Sequence, residues 1–118
     1  MEIKTCKYKE VEDTLAQFKP ELLDKHAIYQ GAYIKDLLVG VVSYVEHQNH
    51  IYLCHAFVHP EHRGKGIYKL LWEYRNMKVK ELGKPIIAHC NVSSLKHFLN
   101  NGFSIENGLF KVVKDPGI

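Results

Sequence analysis

Residues 58–71 read VHPEHRGKGIYKLL, in which a proline, two histidines, an arginine and two glycines separate an apolar run ending at Val58 from a stretch with helical spacing. Upstream, HIYLCHAFV (50–58) has the β-branched and aromatic content of a strand. Downstream, from Lys65 to Leu82, the apolar residues Ile67, Leu70, Leu71, Tyr74, Met77 and Leu82 form a helical stripe that Trp72 and Val79 widen. Gly83 and Pro85 close it. The quoted stretch is thus a cationic strand-to-helix turn. A helix N-terminus leaves its leading N–H groups unpaired and carries about half a positive charge, so it seats anions. Residues 63–68 supply such donors, and Gly64 and Gly66 let an anion approach without meeting a Cβ. A hydrogen bond to a charged group contributes about 1.5–3 kcal/mol, an exposed lysine about 1 or less, so the main chain outweighs Lys65 and Arg63. The alternative reading of the turn is a glycine-rich connector with ordinary solvated charges.

Working outward, MEIKTCKY alternates as a first strand, and EVEDTLAQF places Val11, Leu15 and Phe18 at helical spacing. Pro20 stops that helix, and PELLDKHA can begin a second, short one. AIYQGAYI, LLVGVVSYVE and HIYLCHAFV, joined by KD and HQN, read as an antiparallel meander. Beyond the long helix come a short buried strand, PIIAHC, a helix, SSLKHFLNN, ended at Gly102, and a hairpin, FSIENGLFKVV, whose Asn107-Gly108 suits a tight primed turn. No repeat, linker or low-complexity tract interrupts this order.

The 118 residues imply one domain over 1–118, large enough to bury about two-thirds of the surface its unfolded chain exposes. With 46% hydrophobic and 25% charged residues, the composition argues against disorder and against a coiled coil. The net charge of +3 is mild and the lysines are scattered, so nucleic acid is permitted as a partner without being indicated. The longest apolar stretches, such as DLLVGVVSYV, fall short of the roughly 20 residues a bilayer needs, and MEIKTCKYKE has no apolar signal region, so a cytoplasmic location is expected. Three cysteines, Cys6, Cys54 and Cys90, then read as buried thiols in preference to disulfides.

The order of elements, the strand end VHPEHRGKGI and the later NVSSLKHFLNNGF together resemble the GNAT superfamily of N-acetyltransferases over nearly the whole chain. The family pattern at the first site is Arg or Gln, two residues, Gly, one residue, then Gly or Ala. Arg63 and Gly66 match it, and Tyr68 stands where the small residue is expected. At the second site the family often has Asn, a helix bearing Tyr, then Gly-Phe; Asn91, Gly102 and Phe103 match, and Phe98 takes the Tyr position. The resemblance implies an α+β fold: a mixed, mostly antiparallel sheet of six to seven strands, helices on both faces, and a splay between strands four and five. It implies direct transfer of an acetyl group from acetyl-CoA to an amine. The pyrophosphate of CoA would then sit on Arg63, Gly64, Lys65, Gly66, Ile67 and Tyr68. The rest of the channel would run between Phe57 and Val58 on one side and Cys90 and Asn91 on the other. An N–H near Phe57 or Val58 would be the oxyanion donor, worth about 3–4 kcal/mol. Two alternatives accompany this reading: a CoA-holding protein-interaction module with little or no catalysis, and a nucleic-acid base-modifying enzyme of GNAT type.

Two protons need a destination. Making a lysine-like amine of pKa about 10.4 nucleophilic at pH 7 costs about 4.6 kcal/mol, so a base or a desolvating pocket is required. Strand four offers His50, Tyr52 and His55, of which His55 is the candidate base. The family's helix tyrosine, commonly the acid for the leaving thiolate, is Phe98 here; His97 and Ser94 are the neighbours that could replace it, directly or through water. Losing a general acid costs a factor of about 100–10,000, although a thiol of pKa about 8.5 leaves tolerably unprotonated. His55, His59, His62 and His89 with Cys54 and Cys90 form no recognised paired-ligand spacing, and Pro60 interrupts them, so no metal is expected. The segment from Lys9 to Ala27 is shorter than the family usually has between strands one and two. Its brevity implies an open acceptor side, suited to a macromolecular acceptor or to a site completed by a second subunit in a homodimer.

Overall fold

The computed structural model describes residues 1–106 and 111–115. Along the chain lie β1 (Glu2–Cys6), α1 (Tyr8–Leu15), a single 3-10 turn (Pro20–Leu22), β2 (Ile28–Ile34), β3 (Leu37–Glu46), β4 (Ile51–Val58) and a second 3-10 turn (Pro60–His62). There follow α2 (Ile67–Lys80), β5 (Ile86–His89), α3 (Val92–Asn100), β6 (Ser104–Glu106) and β7 (Lys111–Lys114). Seven strands form one sheet in the order β1-β2-β3-β4-β5-β7-β6. Short connections make β2, β3 and β4 an antiparallel meander, and β1 pairs antiparallel with β2 across the connection that carries α1; between β2 and β3 the chain turns on Lys35 and Asp36, both with positive φ, as a tight primed turn needs. The crossover through α2 makes β4 and β5 the parallel pair. The expected Asn107-Gly108 turn lies outside the described residues, but β6 and β7 pair antiparallel from Ser104↔Val113 to Glu106↔Lys111.

Alternation along the strands divides the core between two faces. On one, Val11 and Leu15 of α1 pack on Tyr29, Val41 and Phe57. On the other, Ile67 and Leu71 of α2 pack on Ala32, Val39 and Val42, and farther along Trp72 and Val79 join Leu53, Ile86, Ala88, Val112 and Phe98 of α3. Gly40 lets α2 lie this close, because a Cβ there would stand 3.1 Å from Leu71 Cδ1 and 3.2 Å from the Phe57 carbonyl oxygen.

Two local expectations change. The buried stripe of α2 is Ile67, Leu71, Trp72, Arg75 and Val79, while Leu70 and Met77 face outward. A charged residue occupies the inward face, and counting apolar positions alone rotates the stripe away from it. PELLDKHA forms only the 3-10 turn, because the Tyr29 hydroxyl donates to the Leu22 carbonyl (2.9 Å) and accepts from the Asp24 N–H (2.7 Å). A helix would need both of those main-chain groups.

The splay is visible in the register. β4 and β5 pair only at Ile51↔Ile86, Tyr52↔Ile87 and Leu53↔Ala88. Against β3, the pairing steps from Tyr44↔Leu53 to Val42↔Ala56, so β4 carries an extra residue at Cys54–His55. Such a bulge bends its strand, and beyond it β4 continues with β3 alone. No helix among the described residues is long and apolar enough to cross a membrane.

Candidate active site

The loop after β4 is shaped by its own short-range bonds. His59 Nδ1 accepts from the Glu61 N–H at 3.1 Å, and Arg63 Nε donates to the Val58 carbonyl at 3.0 Å, folding the arginine back onto the strand end. Gly64 and Gly66 then take φ values of +77° and +79°, a left-handed backbone that side-chain-bearing residues enter at a cost. Nothing lies within 4 Å of the point where either Cβ would be. The glycines are required by conformation, and the space above them is open to a ligand.

Gly66 is the N-cap of α2, and its carbonyl takes the first helical bond, from the Leu70 N–H at 3.2 Å. The N–H groups of residues 64 to 69 therefore have no main-chain or side-chain acceptor among the described residues. No acidic side chain stands in the first turn to compete for an anion. These donors border a cleft of about 640 Å³, walled by Ala56, Phe57 and Val58 on the strand side and by Gly64, Gly66, Ile67 and Tyr68 at the turn. Lys19, Glu21 and Leu22 close it from the connection after α1, with Lys19 Nζ 3.8 Å from Glu21 Oε1, and Arg63 and Lys69 add net positive charge. The His59 N–H donates to the Val39 carbonyl at 2.8 Å, and Phe57 stands opposite Val41. By strand alternation, Ala56 and Val58 turn their main-chain groups away from β3, toward the side β5 has left.

Phe57, Val58, Arg63, Gly64, Gly66, Ile67 and Tyr68 are thus gathered around one cleft. Lys65 projects from between the two glycines and is not among the cleft walls. Asn91 caps α3: its Oδ1 accepts from the Ser94 N–H at 2.9 Å, and its N–H donates to Ser94 Oγ at 3.2 Å. The Ser94 hydroxyl is absorbed by the same box, 3.0 Å from Asn91 Oδ1. His97 lies edge-on to Trp72, ring centroids 4.4 Å apart, with its buried Nε2 lacking a hydrogen-bond partner among the described residues. It borders a separate groove between α2 and α3, which meets the cleft at Tyr68, 6.1 Å from the His97 ring. His55 is exposed in the bulge, and its main-chain N–H donates to Ser43 Oγ at 3.3 Å. Phe98 is a core residue, edge-on to Trp72 and Phe103.

Sequence reasoning missed Arg75. Only 3% exposed, it donates from Nη1 to the Ser43 carbonyl at 3.1 Å and lies 5.9 Å from the Trp72 ring. Together with the Ser43 hydroxyl it satisfies main-chain groups around the bulge. Burial pulls its guanidinium down to about 10. Burial likewise pushes the Tyr68 phenol and the Cys54 thiol up, with the Arg75 charge opposing both. The signal for Arg75 was its place on the 71-75-79 face of the helix. No group of three or more His, Cys, Asp or Glu side chains among the described residues is placed to hold a metal ion.

The family described as acetyltransferase (GNAT) domain matches residues 2–108. Among solved structures, the PaiA N-acetyltransferase of Thermoplasma acidophilum in complex with coenzyme A superposes with a TM-score of 0.68 at 19% identity, covering 98% of this chain and 99% of that one. A ribosomal-protein-alanine N-acetyltransferase of Brucella melitensis gives 0.70 at 22% identity, over 90% and 94% of the two chains. An aminoglycoside 6'-N-acetyltransferase complexed with coenzyme A gives 0.66 at 15%, over 96% and 93%. No curated protein sequence matches significantly.

Proposed function

Since the chain belongs to the GNAT acetyltransferase family, we propose that it transfers an acetyl group from acetyl-CoA directly to an amine. The observation that carries this reading is the row of unengaged N–H groups at residues 64–69, opening with two left-handed glycines onto a positively charged cleft. Those donors fit a pyrophosphate, and the outward-turned main chain of Ala56 and Val58 fits the amides of a pantetheine arm. Acetyl-CoA supplies the activated acyl group. The protein's part is to hold it along β4, in the gap that β5 leaves, and to direct the Val58 N–H at the acyl oxygen. Arg63 acts chiefly on the loop, through its bond to the Val58 carbonyl.

The connection between α1 and β2 is short, with a single 3-10 turn at Pro20–Leu22, and we take this to suit a macromolecular amine. Similarity to a ribosomal-protein-alanine N-acetyltransferase is in keeping with that class. A second reading, a CoA-holding module with weak turnover, draws on Phe98, whose ring is committed to the core and supplies no acid. Calorimetry with acetyl-CoA, followed by thiol release in the presence of amines, separates the two. We expect saturable binding and amine-dependent thiol release; binding without release supports the module, and no binding overturns both.

A further inference from the structure

We propose that His89, held by the Tyr52 hydroxyl, is the base that deprotonates the acceptor amine, an inference that rests on the acyltransfer reading above. The Tyr52 hydroxyl oxygen and His89 Nδ1 are 2.7 Å apart, with ring centroids at 5.5 Å. Tyr52 pairs with Ile87, and Leu53 with Ala88 is the last β4–β5 pair, so His89 is the first residue of β5 past the point of separation. Leu53 and Ala88 face α2 and α3; by alternation Tyr52 and His89 share the opposite face. There α1 covers Tyr29, Val41 and Phe57, leaving Tyr52 half-buried and His89 exposed. His89 is level with Cys54, two strand positions or roughly 7 Å along β4 from Ala56, where the cleft begins. Its charged neighbour across β7 is Lys111, whose ammonium is engaged by Glu106 at 3.0 Å. His55 has no comparable partner to orient it among the described residues.

The acceptor arrives as an ammonium ion and gives one proton to His89 Nε2. The neutral nitrogen forms its bond to the acyl carbon, and the C–S bond breaks with its electron pair on sulfur. The second nitrogen proton passes to the thiolate, and the imidazolium returns the first to solvent. In the tautomer this role requires, Nδ1–H donates to the Tyr52 oxygen, which keeps the lone pair on Nε2. Burial pushes the Tyr52 phenol up, so it remains a neutral hydroxyl able to accept.

The test compares His89→Ala and Tyr52→Phe with the parent protein, using benzylamine and water as acceptors from acetyl-CoA. His89→Ala should bind acetyl-CoA within about twofold of the parent, lose about 100- to 10,000-fold in thiol release, and recover part of it with free imidazole. Tyr52→Phe should lose about 10-fold. Undiminished release by His89→Ala, or a loss that imidazole does not rescue, would overturn the proposal. Ring nitrogen-15 shifts decide it without turnover: an Nδ1-protonated ring that Tyr52→Phe abolishes supports the pairing, and an Nε2-protonated ring overturns it. Failure of the parent to bind acetyl-CoA would instead remove the acyltransfer reading, and the role of His89 with it.

Discussion

Gly66 shows how one residue sets the chemistry of the turn. At φ +79° it orients its own N–H and that of Ile67 outward, and a Cβ there would meet nothing. Any loss on substitution therefore comes from the backbone, where a left-handed non-glycine residue costs about 1–3 kcal/mol. A loop that relieves this strain must rotate its peptides and turn the donors away. Gly66→Val should weaken acetyl-CoA binding by about tenfold or more, and Gly66→Asn by less, since asparagine tolerates this conformation. Calorimetry checks both, and an unchanged Kd for Gly66→Val would contradict the assigned seat. The glycines were legible because their spacing carries a backbone requirement. Asn91 and Ser94, expected at the site, bond to each other in a capping box at the start of α3, a local use that the Asn-x-x-Ser spacing ahead of an apolar helix also allows.

At the scale of elements, the decisive feature is the bulge at Cys54–His55 with Arg75 beneath it. The folded guanidinium keeps its proton only to about 10, below its ordinary range, so above that pH the unfolded chain binds the extra proton. The penalty for burying the charge is thus fully present at neutral pH, about 3 kcal/mol, and is relieved only as pH rises beyond 10. Removing Arg75 would strand the Ser43 carbonyl, which costs about 1–3 kcal/mol. The two effects nearly cancel. Arg75→Met should leave the urea unfolding midpoint close to the parent's, whereas Arg75→Ala, which adds a cavity, should lower stability by about 2–4 kcal/mol. A large loss in Arg75→Met would show that the arginine stabilises the bulge outright. Strand and helix identities were readable from period; the bulge was not, because it exists only in the register between β3 and β4. The rotation of α2 was hidden for a related reason, as a buried charge reads as a surface position until its carbonyl partner on another strand is known.

For the whole molecule, the order of elements and the connection lengths anticipated the meander and the crossover, and the family resemblance spread along the chain implied the splay. The acceptor was not legible, since it depends on what the short α1–β2 connection leaves uncovered and on residues that meet only in the folded sheet, such as Tyr52 and His89. The arrangement asks one seat, the main chain at the start of α2, to hold an anionic nucleotide thioester against β4. Amide nitrogen-15 spectra recorded during titration with coenzyme A test this most directly. The N–H signals of residues 64–69, with those of Ala56 and Val58, should shift together and saturate; coenzyme A that binds while moving a different set of amides, or none, would rule the seat out.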